Sequence, residues 1–393
     1  MDELMETTNI GSEGQNPSPV KRLDPSSEVV ISVNNTDESY IEDVLAECHK
    51  VSVRMVNHAI VVTIVFVVVL LFQAVCIWNS DRLYATYKHD SPVKAGYTGE
   101  ETQYNMSGLY DNLHVVFSKW YGNEGFSIHY ADAFIAALAC IVITKVAAFS
   151  PAMCSCQMFI RYMVIMSTLY LIRGIFIVAT VVPIASCDVL DLSQGYFKQY
   201  LHILAGYLSI TRTCTDMIIS GHAAGTTTLV QMFLVHNRQW QLNTIVVVLA
   251  SAIYCMLIAA RSHYTVDVIF GIFFAIYLYS TNLHIAEHVG RKVLANRDTE
   301  KPHVSWIYRT IAGFELVEDR VQLLFKLQQA RRMVASKPEG PNVDSVAYYC
   351  NIFGIEDEID AEGICMGFDT WTTASFRLIR RRLRGRKKKR GQL

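Results

Sequence analysis

Ile60 to Trp78 reads IVVTIVFVVVLLFQAVCIW, and the apolar run from Asn57 to Trp78 that contains it decides the fold. A helix of this length rises about 1.5 Å per residue and so covers the roughly 30 Å hydrocarbon core of a bilayer. Five further apolar segments follow, at about Ala133 to Phe149, Phe159 to Val182, Met217 to Val235, Leu242 to Ala260 and Tyr264 to Ile285. The expected fold class is therefore all-α, a bundle of six transmembrane helices with both termini on one side. Composition agrees: 51% of the chain is hydrophobic and only 18% charged, a mix that argues against an ordinary soluble globule.

Outside the bundle the chain divides simply. Residues 1–40 are rich in Ser, Asn, Glu, Asp and Pro without sustained apolar periodicity, and residues 1–50 are expected to be a disordered cytosolic tail. No basic start leads directly into an apolar run, which argues against a cleaved signal peptide. Residues 51–290 make the membrane catalytic domain, and 291–393 a cytosolic C-terminal tail. That tail holds one amphipathic candidate, Glu315 to Ala335, then a Pro/Gly break at Lys337 to Pro341.

Orientation follows from the positive-inside bias. Arg291, Lys292, Arg297 and Lys301 flank the last segment, and Arg377 to Arg390 is dense in Arg and Lys, which places the C-terminus in the cytosol. The formal net charge of −1 hides this asymmetry. The terminal RLIRRRLRGRKKKR either binds anionic headgroups, at about 1 kcal/mol per basic residue near the surface, or serves as a flanking charge run that fixes topology. Loops 79–130, 183–216 and 261–263 then face the lumen or exterior, and Asn105-Met106-Ser107 is a glycosylation sequon on that side.

Ten cysteines are scattered without paired metal-ligand spacing, so no zinc site is read and no metal or cofactor is expected. Cys187 and Cys214 both fall on the oxidising side, where a disulfide would pin the loop leading to His222.

Ionisable groups are costly in a bilayer, which makes those beside the helices functional candidates. Cys214-Thr215-Asp216-Met217-Ile218-Ile219-Ser220-Gly221-His222 sits at the outer end of the fourth segment, and His263-Tyr264-Thr265-Val266-Asp267 at the outer end of the sixth. On a helix His263 and Asp267 share a face, so the carboxylate can hold the imidazole in one tautomer. Depth matches too, so both histidines can face one cavity at the outer boundary, and Gly221 allows a backbone or phosphate to approach closely. Two imidazoles and a carboxylate suit phosphoryl transfer: one histidine attacks phosphorus, the acid supports it, and the other protonates the departing oxygen, with no metal required. The competing reading is a pair of interfacial histidines satisfied by loop carbonyls. Arg173, in the third segment, either reaches a phosphate in the same cavity or pairs with Asp216 or Asp188. Lys145 lies near an inner helix end and can snorkel. The catalytic candidates are His222, His263 and Asp267, and the substrate-binding candidates Arg173, Asp216, Ser220, Gly221 and Tyr264.

These motifs resemble those of the sphingomyelin synthases and related sphingolipid synthases, relatives of the type 2 lipid phosphate phosphatases. The resemblance spans roughly Phe159 to Glu315. CTDMIISGH is similar to the family's Cys-Gly-Asp and Ser-Gly-His, SHYTVDV to its His-Tyr-Thr-Val-Asp block, STLYLIRGIFIVATVVPI to its Tyr-Leu-x-Arg helix, and WIYRTIAGFE to the stretch after the last helix. It implies a luminal triad of His222, His263 and Asp267 that moves phosphocholine, or a related headgroup, from a glycerophospholipid to ceramide and releases diacylglycerol. It also implies a Golgi or plasma-membrane protein whose partners are ceramide, glycerophospholipids, other membrane lipids and, in a homo-oligomer, further copies of the chain. Nothing points to nucleic acid. The chain departs from the family pattern at Thr215 (glycine), Ala223 (threonine) and Ser262 (aspartate in animal enzymes), and the Pro-Leu-Pro-Asp element is not visible. Two other readings remain: a hydrolase with water as acceptor, and a non-catalytic lipid-binding protein. The phosphatase signature places an arginine six residues before the second histidine, where this chain has Leu257.

Overall fold

The computed structural model describes residues 36–95, 111–121, 127–181, 189–206, 213–215, 218–237, 239–260, 262–295, 305–336 and 342–353, and every regular element among them is α-helical. In chain order these are α1 (Thr36–Ala95), α2 (Asn112–Tyr121), α3 (Ile128–Phe149), α4 (Ala152–Ala179), α5 (Tyr196–Gly206), α6 (Gly221–His236), α7 (Trp240–Ala259), α8 (Thr265–Ala295), α9 (Trp306–Phe314), α10 (Val317–Ser336) and α11 (Val343–Phe353).

Five of these, α1, α3, α4, α7 and α8, are long and apolar enough to cross a membrane, as several crossings of a multi-pass membrane protein require. On α1, Val61, Ile64 and Val68 are 54%, 58% and 58% exposed, the behaviour of side chains that face lipid tails rather than a protein core. Lys145, in the C-terminal part of α3, lies over the Phe149 ring.

The remaining expected segment, Met217 to Val235, is shorter than its apolar run. Ile218 has φ 89°, a left-handed backbone that a β-branched residue rarely adopts, so no helix passes through it. The helix starts at Gly221 instead, where the Ser220 hydroxyl accepts the Ala223 N–H at 3.2 Å as an N-cap. The resulting α6 has 16 residues, about 24 Å at the helical rise. It lies within the bundle against α3, α4, α7 and α8. Its approach to α8 depends on Gly271, since a Cβ there would stand 2.7 Å from the Ser220 carbonyl oxygen.

The N-terminal expectation needs correction. Residues 36–50 are not an unstructured tail: they are the first part of α1, whose 60 residues run about 90 Å and outreach the bilayer. Ile41, Val44, Cys48, Val51 and Met55 recur at three- and four-residue spacing, and they are buried against Leu323, Leu324 and Leu327 of α10 and Val346, Cys350 and Phe353 of α11. Arg54–Asp319 and Lys326–Glu47, at 2.8 and 2.6 Å, decorate this contact. Exposed pairs of that kind add about 0–1 kcal/mol each, so apolar burial carries the association. The amphipathic candidate at 315–335 is realised as α10. The basic run at 377–390, the sequon at 105–107 and residues 1–35 lie outside the described residues.

Glu315, in the turn between α9 and α10, ties these helices to the bundle. Its carboxylate takes Arg161 Nε at 2.8 Å, Arg161 Nη2 at 2.6 Å and Gln157 Nε2 at 2.9 Å, with all three residues buried. Burial works against the Glu315 carboxylate, but the Arg161 guanidinium and the donated hydrogen bonds overcome it and hold it below the usual carboxylate range.

Candidate active site

At the opposite end of the bundle from Glu315, His263 sits in the loop before α8 and His222 in the first turn of α6, and carboxylates fasten the segments that lead into both helices. Residues 262–264 join α7 to α8. Asp111, just before α2, takes the Thr265 N–H at 2.6 Å and its hydroxyl at 2.9 Å, which caps α8. Those bonds outweigh the unfavourable effect of burial and hold the Asp111 carboxyl below its ordinary range. His114 Nε2 donates to the His263 carbonyl at 2.9 Å, and its ring stacks on Tyr264 at 5.6 Å. The Ser262 hydroxyl donates to Leu257 O at 3.1 Å.

The loop leading into α6 is anchored by Asp81, three residues beyond Trp78 in α1. Buried Asp81 accepts Cys214 N at 3.2 Å, Thr215 N at 2.9 Å and Thr215 Oγ1 at 2.6 Å. A glycine at 215 would forgo that last bond, so Thr215 has a structural use here. Cys214 is disulfide-bonded, while Cys187, its expected partner, lies outside the described residues.

Asp267 joins the two loops. One carboxylate oxygen accepts Ile218 N at 3.1 Å, the other accepts Tyr264 N at 3.1 Å, and its own carbonyl accepts Ser220 N at 3.0 Å. Ile218 thus keeps its left-handed backbone because Asp267 receives its N–H. This differs from the expected support of the His263 ring. Helix α8 begins at Thr265, so His263 precedes it and the four-residue helical spacing to Asp267 does not apply. Nδ1 of His263 is buried and meets no hydrogen-bond partner among the described residues.

The two imidazoles do converge. The rings of His222 and His263 are 5.7 Å apart, centroid to centroid, inclined at 56°. His263 is 5% exposed. Burial, then the neighbouring His222, then Arg173 hold its pKa well below the ordinary histidine value. The His222 side chain is 38% exposed, and its Nε2 lies 3.4 Å from Oδ1 of Asp132, the fifth residue of α3. Arg173, buried in α4, stacks over Tyr170 at 5.8 Å and fills the space a side chain at 221 would need: a Cβ on Gly221 would collide with its Nη1. The close approach at Gly221 is therefore made by a guanidinium. Ser220 is the cap of α6 and Tyr264 backs the His263 loop. Asp216 and Asp188 lie outside the described residues.

Sequence reasoning missed Asp81, Asp111, His114 and Asp132. The signal available for Asp132 and Asp81 was a carboxylate beside the end of an apolar segment. Asp132 directly precedes the expected start of the second segment, and Asp81 stands three residues beyond Trp78.

Two imidazoles, a guanidinium and a carboxylate brought together at one end of a helical bundle are groups that phosphate-ester chemistry can use. Residues 213–285 match the family model described as PAP2 superfamily C-terminal. The match covers both loops, α6, α7 and most of α8, and relates the chain to the type 2 phosphatidic acid phosphatase superfamily, whose enzymes carry out phosphatase and phosphotransferase chemistry on lipids. No curated protein matches the chain.

Proposed function

We propose that the chain is a sphingolipid synthase, transferring a phospho-headgroup, phosphocholine first among the candidates, from a glycerophospholipid to ceramide and releasing diacylglycerol. The observation that carries this reading is the pair of imidazoles 5.7 Å apart beside buried Arg173. Neutral His263 attacks phosphorus, His222 protonates the diacylglycerol oxygen as it leaves, and the ceramide hydroxyl then displaces His263 and returns a proton to His222. Arg173 neutralises phosphate charge. Asp267 serves the same chemistry by holding both histidine loops in register.

In this reading α6 is the sixth crossing, residues 51–290 are the membrane catalytic domain, and both termini lie in the cytosol. The site then faces the lumen or exterior, in the Golgi or plasma membrane. Support for the orientation comes from Arg291, Lys292, Arg297 and Lys301 beyond the last span. Helices α9 to α11, with the start of α1, then form a cytosolic cap.

The test is a donor panel. Detergent-purified protein is given labelled ceramide with phosphatidylcholine, phosphatidylethanolamine or phosphatidylinositol, and products are read by mass spectrometry. One phosphosphingolipid and diacylglycerol are expected, and His263→Ala abolishes both. Failure with all three donors refutes the transferase. The superfamily relation favours one second reading, diester hydrolysis with water as acceptor; free phosphocholine released without ceramide would select it. Leu257, fully buried where the phosphatase signature has arginine, disfavours monoesters.

A further inference from the structure

Among the described residues, four carboxylates stand around the two histidine segments, and they are used differently. Asp81, Asp111 and Asp267 each accept backbone N–H groups from the histidine loops. Asp132 is set against an imidazole instead, with Oδ1 3.4 Å from Nε2 of His222. It comes from α3, a helix that carries neither histidine and lies outside the 213–285 match. The side chains are 27% and 38% exposed, and an ion pair that wet adds little to stability. Its consequence is orientation.

We propose that Asp132 is the positioning residue for His222, fixing the tautomer in which Nε2–H faces the carboxylate and Nδ1 is the nitrogen that exchanges a proton with substrate. The inference rests on the transferase reading above. In the first half-reaction a His263 ring nitrogen bonds to phosphorus, the phosphorus–oxygen bond to diacylglycerol breaks, and the proton on His222 Nδ1 goes to that oxygen. His222 is left as the neutral Nε2–H tautomer, held by Asp132. In the second half the ceramide oxygen bonds to phosphorus, the phosphorus–nitrogen bond breaks, and the hydroxyl proton returns to Nδ1. Asp132 remains a carboxylate throughout. Asp267 is directed elsewhere, its two oxygens accepting Ile218 N and Tyr264 N from the loops.

A leaving-group comparison on the full-length protein tests the assignment. The natural donor needs a proton delivered to diacylglycerol, whereas the p-nitrophenyl ester of the same headgroup releases nitrophenolate, which needs none. Asp132→Asn should slow single-turnover transfer from the natural donor by about 10²-fold, the scale of general-acid catalysis, and leave first-turnover nitrophenolate release within about threefold. His222→Ala should show the same split, His263→Ala should lose both reactions, and Asp132→Glu should recover part of the natural-donor rate. Equal loss of both reactions in Asp132→Asn, or loss of neither, overturns the proposal. If Asp132→Asn fails to fold, Asp132→Glu decides: a slowed natural donor with intact nitrophenolate release supports the role, and equal rates for both donors overturn it. Wild-type protein inactive on every donor would instead sink the transferase reading itself, and the role of Asp132 with it.

Discussion

Removing the Asp267 carboxylate should damage the site through the backbone rather than through a histidine. Asp267 is 2% exposed and accepts Ile218 N and Tyr264 N, each at 3.1 Å. Hydrogen bonds to a charged acceptor contribute about 1.5–3 kcal/mol apiece. Asp267→Ala therefore forfeits two of them, partly offset by release of strain at Ile218, about 1–3 kcal/mol for an unfavourable backbone region. The expected net loss is about 2–4 kcal/mol. At about 2–4 °C per kcal/mol for a domain of this size, thermal unfolding in detergent should move down by about 5–15 °C. Asp267→Asn keeps one carbonyl oxygen for two N–H groups and should fall about midway. Transfer should drop by about 10²-fold or more in both, since displacements near 1 Å suffice for that. The diagnostic variant is Ile218→Gly on the Asp267→Ala background. Glycine takes φ near 89° without strain, so part of the lost Tm should return. An Asp267→Asn protein with wild-type Tm and severely reduced turnover would refute this account and restore the carboxylate to a direct role on an imidazole.

The Glu315 turn offers a second measurement. Glu315→Leu leaves Arg161, 1% exposed, without its carboxylate, which should destabilise the protein by about 3–5 kcal/mol. Arg161→Met with Glu315→Leu removes both charges and should recover most of that; a double variant no better than the single would contradict the pairing. The same carboxyl sets an acid limit. Its folded pKa is depressed, so its contribution is present above the unfolded value of about 4.3 and lost as pH falls through the lower folded value. His263 gives a different window with the same direction. Its folded pKa is also depressed, so between that value and about 6.5 the unfolded chain binds a proton the folded one does not. Stability should fall as pH drops below about 6.5, and His263→Gln should flatten that part of the profile. An unchanged slope in the variant would argue against a buried neutral ring.

What was legible in the chain follows the range of the interactions. The spans α1, α3, α4, α7 and α8 could be read because membrane insertion is decided by local apolarity over some twenty residues. The two histidines could be read because each ionisable group stands beside an apolar segment at matched depth. The N-terminal start of α1 left a mark too, in the spacing of Ile41, Val44, Cys48, Val51 and Met55. Its acidic composition hid the helix, since the apolar stripe gains nothing until α10 and α11 fold back on it.

The supporting carboxylates were illegible for a different reason. Asp81 meets Thr215 across 134 positions and Asp111 meets Thr265 across 154, so no window of sequence contains both partners. The same distance explains the one geometric error. The spacing of His263 and Asp267 implies a shared helical face only if the helix includes both, and the Asp111 cap starts it at Thr265, after the histidine. A residue from before α2 thereby decides which carboxylate each histidine can reach. Asp267 turns to the loop backbone, and Asp132 becomes the acid group set against an imidazole. The two histidines can be found in the motif, but the groups packed around them come from α1, α3 and the start of α2. Substitutions there should alter the chemistry without touching the 213–285 match.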